Sequence, residues 1–338
     1  MPIIRNPFDA GGYSLAEMTQ AINILPNFYT RLGEIGLFSF EGITQRSVII
    51  EQFDGALNVL PSVPLGAPAT VATRQGRSMR SFGLPWIPHD DVILASDIQG
   101  VPAFGGSEND QLATVMMRKL TLMRRKHAQT REYMEMNALR GIVKDGAGTT
   151  LYNYFTEFGL AQISVDFLLG TATPVQGKVR DAIRAVEDNL LGESMISVYA
   201  LVSPEFFDKL IGHALTQDAY KFYSATGAQP LRQDVRRSFP FAGILFEEYR
   251  GTVTLSTGAA ERLIPAGEGI AFPIGTIDTF TTYGGPANQI SLANTIGLPL
   301  YARQLMDDKD RWINILTEAS ILPVNKRPRT AIRLFTSN

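Results

Sequence analysis

The sequence has 338 residues, of which 45% are hydrophobic and 19% are charged, enough apolar material for one large core or two smaller cores. Its formal net charge of −2 argues against a protein whose main task is to neutralise nucleic-acid phosphates, since such proteins carry a strong basic excess. Cysteine is absent, which excludes disulfide bonds, thiolate metal sites and cysteine nucleophiles.

The first 45 residues predict an N-terminal arm. Scattered apolar side chains in residues 1–45 are interrupted by Pro7, Pro26, Gly33 and Gly36, so the segment needs another surface to pack against. The start of the chain lacks a basic stretch followed by an apolar core, and its longest apolar runs are far shorter than the roughly 20 residues of a spanning helix. We therefore expect a soluble protein that has no membrane partner.

Residues 46–95 are predicted to form an extended β-hairpin. Two strand-like stretches, SVIIEQFDGALNVL and TVATRQGRSMRSF, are separated by a proline-rich connection. Because isolated two-stranded ribbons are marginally stable in water, we expect the hairpin to lie on a neighbouring subunit. Arg74, Arg77 and Arg80 are expected to form ion pairs with acidic groups of that neighbour. Trp86 is a further candidate for a contact between subunits.

One long helix is predicted over residues 107–141. Ser107 suits the N-cap position, and acidic residues follow in the first turn, where the helix dipole favours them. Apolar side chains then recur every three or four residues on a face that includes His127, until Gly141 ends the pattern. At 1.5 Å per residue the helix would be a rod of roughly 50 Å.

The opposite face of this helix is predicted to be basic. Glu132 and Glu135 are interleaved with the basic residues near its end. Two interpretations stay open, a solvated face and a face that meets acidic partners or packaged DNA. The basic residues are Arg118, Lys119, Arg124, Arg125, Lys126 and Arg131.

The following residues, 142–300, mix helices and strands. A glycine-rich turn signal between Lys144 and Gly148 predicts a hairpin. Ser203 and Pro204 supply the cap and the first position of a helix that follows the buried-strand run MISVYALV. Helices and strands in this order predict an α+β fold.

No catalytic residue, cofactor or metal site is predicted. His89, Asp90 and Asp91 are adjacent on an extended segment, so their side chains point in alternate directions, which favours a polar loop over a metal site. Asp307 and Asp308 lie in a charge cluster near the end of the chain, where a solvated turn or an inter-subunit salt bridge is favoured over a cation site. An enzyme that acts through one of these two clusters is kept as an alternative.

The order of these elements resembles the tailed-phage capsid fold of the Hong Kong 97 type. More narrowly, the stretch GLPLYARQLMDDKDRWINILTEASILPVNKRP near the end of the chain resembles the lambda-type major capsid protein E family. The segments VYALVSPEFFDKLIGHA, FAGILFEEYRG and LIPAGEGIAFPIGT resemble the central domain of the same family.

This resemblance implies a division of the chain into five parts. The long helix would be the spine of a peripheral domain, and the mixed segment would form an axial domain. The parts are an N-terminal arm (1–45), an extended loop (46–95), a peripheral domain with its spine helix at 107–141 (96–175), an axial domain (176–300) and terminal strands that return to the peripheral domain (301–338).

The resemblance also implies the function of a major capsid protein. Copies would assemble through hexamers and pentamers into an icosahedral shell around double-stranded DNA, inside the cytoplasm of a bacterial host, and would end in the virion. The implied partners are a portal protein, a separate scaffolding protein, a decoration protein and, non-specifically, the packaged DNA; no cofactor is implied. A nanocompartment shell of the same fold and a nucleic-acid-binding module that uses the basic helix face are the remaining alternatives.

Overall fold

The computed structural model describes residues 15–24, 30–53, 77–98, 108–218, 238–309 and 311–337. The chain divides into two compact units, each built from separate stretches of sequence. The first unit contains Met1–Val48, Gly83–Glu135 and Thr281–Val324, and the second contains Ile49–Phe82, Met136–Phe280 and Asn325–Asn338.

The two units together mix helices and strands, as the sequence predicts. The helices are α1 (Leu15–Ile24), α2 (Arg31–Ile35), α3 (Ala95–Ile98), α4 (Glu108–Leu139), α5 (Tyr154–Phe158), α6 (Val175–Asn189) and α7 (Pro204–Gly212). The strands of the first half are β1 (Ser39–Gly42), β2 (Ser47–Phe53), β3 (Arg77–Gly83), β4 (Trp86–Leu94), β5 (Ile142–Lys144), β6 (Thr150–Asn153) and β7 (Ser164–Asp166). The later strands are β8 (Ser197–Val202), β9 (Ser238–Phe241), β10 (Ile244–Glu248), β11 (Thr252–Thr254), β12 (Ala260–Arg262), β13 (Glu268–Ile274), β14 (Phe280–Gly284), β15 (Tyr301–Met306), β16 (Trp312–Asn325) and β17 (Ile332–Phe335).

The first unit is built around a five-stranded sheet in the order β1-β14-β16-β15, with β4 also paired to β16. β4 and β16 run antiparallel, and Ile93 lies opposite Ile313, both buried. Helix α1 lies along β15, where Asn23 Nδ2 donates to the carbonyl of Leu300 at 2.9 Å. β16 is therefore the strand that joins the other elements of this sheet.

The predicted long helix is confirmed as α4, which begins at Glu108 and ends at Leu139. Its predicted N-cap, Ser107, lies outside the described residues. Met116, Leu120 and Met123 are buried, in agreement with the apolar periodicity. Gly141 follows the helix with a φ of +85°, and a Cβ at this position would lie 2.2 Å from the ring of Phe155. Only glycine combines this left-handed conformation with such a close approach.

The second unit contains a six-stranded sheet in the order β7-β17-β13-β8-β10-β9. Helices α6 and α7 contribute to the apolar core of this unit together with the buried side chains of β8 and β10. Helix α7 begins as the sequence predicts, with Pro204 in its first turn and the Ser203 hydroxyl accepting from the Phe206 amide at 3.3 Å. The run of five buried residues in β8 explains why this strand reads as continuously apolar.

The region of the extended hairpin differs in part from the expectation. β2 and β3 pair as a two-stranded sheet, whereas residues 54–76, which include Arg74, lie outside the described residues. Residues 86–94 were expected in the hairpin but form β4, which pairs with β16 along its whole length. Alternating burial suits a hairpin and a sheet equally, and only the distant partner strand decides between them.

Two shorter hairpins complete the second unit. β5 and β6 pair antiparallel around the predicted glycine-rich turn, in which Asp145 Oδ1 accepts from the amides of Ala147 and Thr149 at 2.9 and 2.8 Å. β11 and β12 form the other pair. Among the described helices, none is both long and apolar enough to span a membrane.

Candidate functional site

Several charged groups of the first unit lie where β4 and α4 contact each other, a region called here the seam. Lys119 Nζ lies 3.2 Å from Asp91 Oδ1 and 3.6 Å from Asp97 Oδ2. Lys126 Nζ lies 3.0 Å from His89 Nε2, and since an ammonium group has only donors, this ring nitrogen accepts. Asp90 points away and is exposed, in agreement with strand alternation.

The electrostatics of this seam suit packing between elements and give no sign of catalysis. Burial, followed by the charge of Lys126, lowers the pKa of His89. Burial alone would raise the pKa of Asp91, but the Val92 amide and Lys119 hold it below its usual value. Within the described residues no group of three or more histidine or carboxylate side chains could hold a metal ion. His89, Asp90 and Asp91 thus do not form a shared ligand set.

His127 is a buried side chain that joins α4 to β16. Its Nε2 lies 3.0 Å from Thr317 Oγ1, and the same hydroxyl donates to the carbonyl of His89 at 2.6 Å. Because a hydroxyl has a single proton, Thr317 must accept from His127, which therefore carries its proton on Nε2. Burial, with a smaller contribution from His89, lowers the pKa of His127 to about 4. The ring is a neutral structural group at pH 7.

The predicted basic face of α4 is wrong in one respect, because Glu132 and Glu135 are buried. Glu132 Oε1 accepts from the amide of Leu32 at 3.1 Å. Glu135 Oε1 accepts from Arg131 Nε at 2.6 Å and from Thr282 Oγ1 at 2.8 Å. These internal donors offset part of the lost hydration of the two carboxylates, which pack inward.

The remaining basic residues of α4 do not form one surface. Lys119 and Lys126 turn towards β4, and Arg124 is partly buried, which lowers the pKa of its guanidinium. Arg118 and Arg125 are exposed. The exposed face of the helix is therefore narrower than the sequence predicts.

The arginines of the hairpin are placed only in part. Arg74 and the side chain of Arg77 lie outside the described residues. Arg80 Nη1 lies 3.4 Å from Glu157 Oε2, and both side chains are about two-fifths exposed. Arg80 thus has an acidic partner in its own chain, and its pairing with a neighbouring subunit stays a prediction. The root of the hairpin is anchored by Phe82, whose ring centroid lies 5.2 Å from that of Tyr152.

Trp86 is a half-exposed side chain at the start of β4. Its Nε1 donates to Glu318 Oε2 at 2.6 Å. The buried Glu318 carboxylate also accepts from the Asn288 amide at 3.2 Å and from Gln289 Nε2 at 2.9 Å. The indole is therefore held in a fixed position with part of its ring on the surface.

Asp307 and Asp308 lie in the turn between β15 and β16. Asp307 Oδ2 accepts from the Lys309 amide at 3.2 Å, and the Asp307 amide donates to the carbonyl of Trp312 at 3.1 Å. Asp308 is exposed. These contacts give Asp307 a role in the turn, and they leave a pairing of Asp308 with another subunit as an expectation.

The sequence reasoning missed a group of exposed aliphatic residues in the second unit. Leu191, Ile196 and Ile277, called here the aliphatic patch, are 69%, 83% and 82% exposed. They lie in turns next to β8 and β13, where the sequence pattern gives no sign of their exposure.

Comparison with known proteins gives consistent similarities along the chain. Residues 14–336 match the family model described as phage major capsid protein E. The chain is 31% identical to the major capsid protein of Pseudomonas phage KPP10, over 98% of each chain. It is 26% identical to the major capsid protein of Salmonella phage Felix O1, over 95% of each chain.

Solved structures with little sequence identity resemble the fold. The capsid structure of cyanophage P-SCSP1u has a TM-score of 0.53 at 13% identity, covering 93% of this chain and 91% of that one. The mature capsid of bacteriophage PhiM1 has a TM-score of 0.51 at 13% identity, covering 93% and 89%. These identities support a shared fold and nothing finer.

Proposed function

The chain belongs to the phage major capsid protein E family, and from this premise we propose that its copies assemble through hexamers and pentamers into an icosahedral shell around double-stranded DNA. The main support for the proposal is the family match over residues 14–336, together with 31% identity to a major capsid protein over 98% of the chain. The protein is a structural, shell-forming capsid protein with a Hong Kong 97-type fold, and it is not an enzyme.

The proposed division of the chain follows the family fold with one adjustment. We assign residues 1–45 to the arm, 176–300 to the axial domain and 301–338 to the returning strands. The extended loop is proposed to end near Gly83 and not at residue 95, because β4 pairs with β16 in the sheet of the first unit. The peripheral domain would then begin with β4 and include α4 as its spine.

The β2–β3 hairpin is proposed to lie on a neighbouring subunit. Val48, Ile50 and Phe82 are buried, whereas Ile49 and Met79 are 59% and 63% exposed. Alternate side chains of a strand point to opposite faces, so one face of the hairpin is covered within the chain and the other remains apolar and open. Coverage of this second face by another copy would remove it from water.

The remaining partners are proposed from the family alone. They are a portal protein, a separate scaffolding protein, a decoration protein and packaged DNA, with assembly in the host cytoplasm before incorporation into the virion. The net charge of −2 fits DNA contacts that are few and independent of sequence. Among shells of this fold, the family match favours a phage capsid over a nanocompartment.

The proposal is tested by expressing the chain with any adjacent scaffold gene and examining the product by size-exclusion chromatography and negative-stain electron microscopy. We expect closed shells tens of nanometres across, or rings of five and six copies. A product that stays monomeric under all these conditions contradicts the proposal. Shells that enclose a cargo enzyme in place of a genome in infected cells would favour the nanocompartment.

A matched pair of variants tests the role of the hairpin. Met79→Asp places a charge on the open face of the hairpin and is expected to reduce shell yield at least about tenfold. A loss of about 1.4 kcal/mol in contact free energy lowers the association constant tenfold. Met79→Leu keeps the face apolar and should assemble normally. Equal shell yields from the two variants would show that this face does not pack against a neighbour.

A further inference from the structure

The aliphatic patch lies on two turns whose backbone conformation and hydrogen bonds restrict their movement. Ile196 packs over Gly275, where a Cβ would lie 2.5 Å from Ile196 Cδ1, and Gly275 has a φ of +78°. The Ile196 amide donates to the carbonyl of Ile274 at 2.8 Å. Leu191 adopts a φ of +52°, a left-handed conformation that is costly for leucine. The exposed side chains are thus presented in fixed positions.

A largely buried carboxylate joins these two turns. Glu193 Oε1 accepts from the Ile277 amide at 2.6 Å and from the Asp278 amide at 3.0 Å. Its Oε2 accepts from Thr279 Oγ1 at 2.7 Å and from Arg327 Nη1 at 2.5 Å. Burial alone would raise the pKa of Glu193, but these partners hold it below its usual value, so the carboxylate is charged at pH 7. This clamp joins the turn that contains Ile277 to the segment between Leu191 and Ile196.

The rim of the patch is acidic. Glu187 and Asp188 are exposed in the last turn of α6, four and three residues before Leu191. Asp278 follows Ile277, and its side chain is largely exposed while it pairs with Lys326. With three carboxylates and one ammonium group, the rim carries net negative charge. An apolar centre with an acidic rim fits a partner that has an apolar centre and a basic rim.

The exposed face of α4 has that complementary character. Met117 and Leu122 are 41% and 49% exposed. Leu122 lies four residues after Arg118 and three before Arg125, both exposed, so these three side chains share one side of the helix, and Met117 directly precedes Arg118. Residues 111–131 of the helix contain no aspartate or glutamate. We call Met117, Arg118, Leu122 and Arg125 the helix stripe.

We infer that the aliphatic patch of one copy packs against the helix stripe of a neighbouring copy in the shell. The inference rests on the proposed function, because a shell-forming chain must meet other copies of itself. Both surfaces are exposed in a single chain, so each is open to a second copy. They differ from each other in position and charge, so the contact is head-to-tail and can be repeated from copy to copy around a ring.

The absence of cysteine makes a direct test possible. In a Leu122→Cys/Ile277→Cys double variant, the contact would bring two thiols of different copies together. Mild oxidation of its assembled shells should give a ladder of covalent oligomers on a non-reducing gel. Each single variant serves as the matched control and should remain monomeric. Shells of the double variant that give only monomers after oxidation would overturn the inference and leave the proposed function intact.

A charge exchange gives a second test that does not depend on thiol geometry. Arg118→Glu and Asp188→Arg should each reduce shell yield at least about tenfold, since each creates like-charge contacts at the interface. The combination of both changes restores opposite charges and should return the yield towards that of the unchanged protein. A combined variant no better than the worse single variant would contradict the contact. Failure of the unchanged chain to form shells would instead count against the proposed function.

Discussion

Replacing His127 by glutamine tests whether this buried imidazole limits the stability of the first unit in acid. The His127 ring is buried on α4, and its Nε2 donates to Thr317 at 3.0 Å. Glutamine offers an amide donor of similar reach but does not titrate. His127→Gln should therefore keep much of the packing and remove the pH dependence that the ring introduces.

The magnitude follows from the difference between the folded and unfolded pKa. The pKa of His127 falls from 6.5 to about 4 on folding, because burial, and to a smaller extent His89, disfavours the charged ring. The folded state therefore binds fewer protons than the unfolded state, and stability falls as the pH is lowered from about 6.5 to about 4. At about 1.4 kcal/mol per pKa unit, the full loss is about 3 kcal/mol.

Urea unfolding followed by tryptophan fluorescence suits this measurement, because the two tryptophans, Trp86 and Trp312, both lie in the first unit. Between pH 7 and pH 4 the unchanged protein should lose about 3 kcal/mol more unfolding free energy than His127→Gln. His213→Gln, which alters the second unit, should behave like the unchanged protein. Parallel pH profiles for the unchanged protein and His127→Gln would refute the reasoning.

Two further substitutions test features of the second unit. Glu193→Ala removes the acceptor of four hydrogen bonds and leaves Arg327 without this carboxylate. Thermal and urea unfolding should therefore show a loss of about 3 kcal/mol in unfolding free energy. A loss below about 1 kcal/mol would mean that the clamp does not stabilise the fold. Gly141→Ala forces a Cβ to within 2.2 Å of the Phe155 ring at a φ of +85° and should cost about 2 kcal/mol or more in unfolding free energy. Gly146→Ala, whose Cβ would meet nothing within 4 Å, is the control, and equal stabilities of the two alanine variants would contradict the argument.

Elements specified by nearby residues could be predicted from the sequence. The periodicity of apolar side chains in α4, the Ser203–Pro204 start of α7 and the glycine-rich turn after β5 each depend on interactions within a few residues. Such local signals are present in the sequence itself, whatever the rest of the chain does. They placed α4, the start of α7 and one hairpin close to their observed positions.

Elements that depend on distant partners could not be predicted. The alternation of β4 is the same in a hairpin or a sheet, and its partner β16 lies more than two hundred residues away. Glu132 and Glu135 look like surface residues until Leu32 and Thr282 supply internal donors. The aliphatic patch depends in the same way on Glu193, which accepts from the amide of Ile277, 84 residues further along the chain. Contacts between residues that are far apart in the sequence, and not local propensity, determine the structure at these positions.

The pairing of β4 with β16 has a consequence for synthesis of the chain. Thr317 bonds to the carbonyl of His89, a separation of 228 residues, so this pairing cannot form until β16 has left the ribosome. Contacts between such distant segments are slow to form because a long loop must close first. A nascent chain therefore lacks a finished first unit until β16 has been synthesised. Polysomes translating this message would carry subunits that cannot yet join a growing shell, which separates translation in time from assembly.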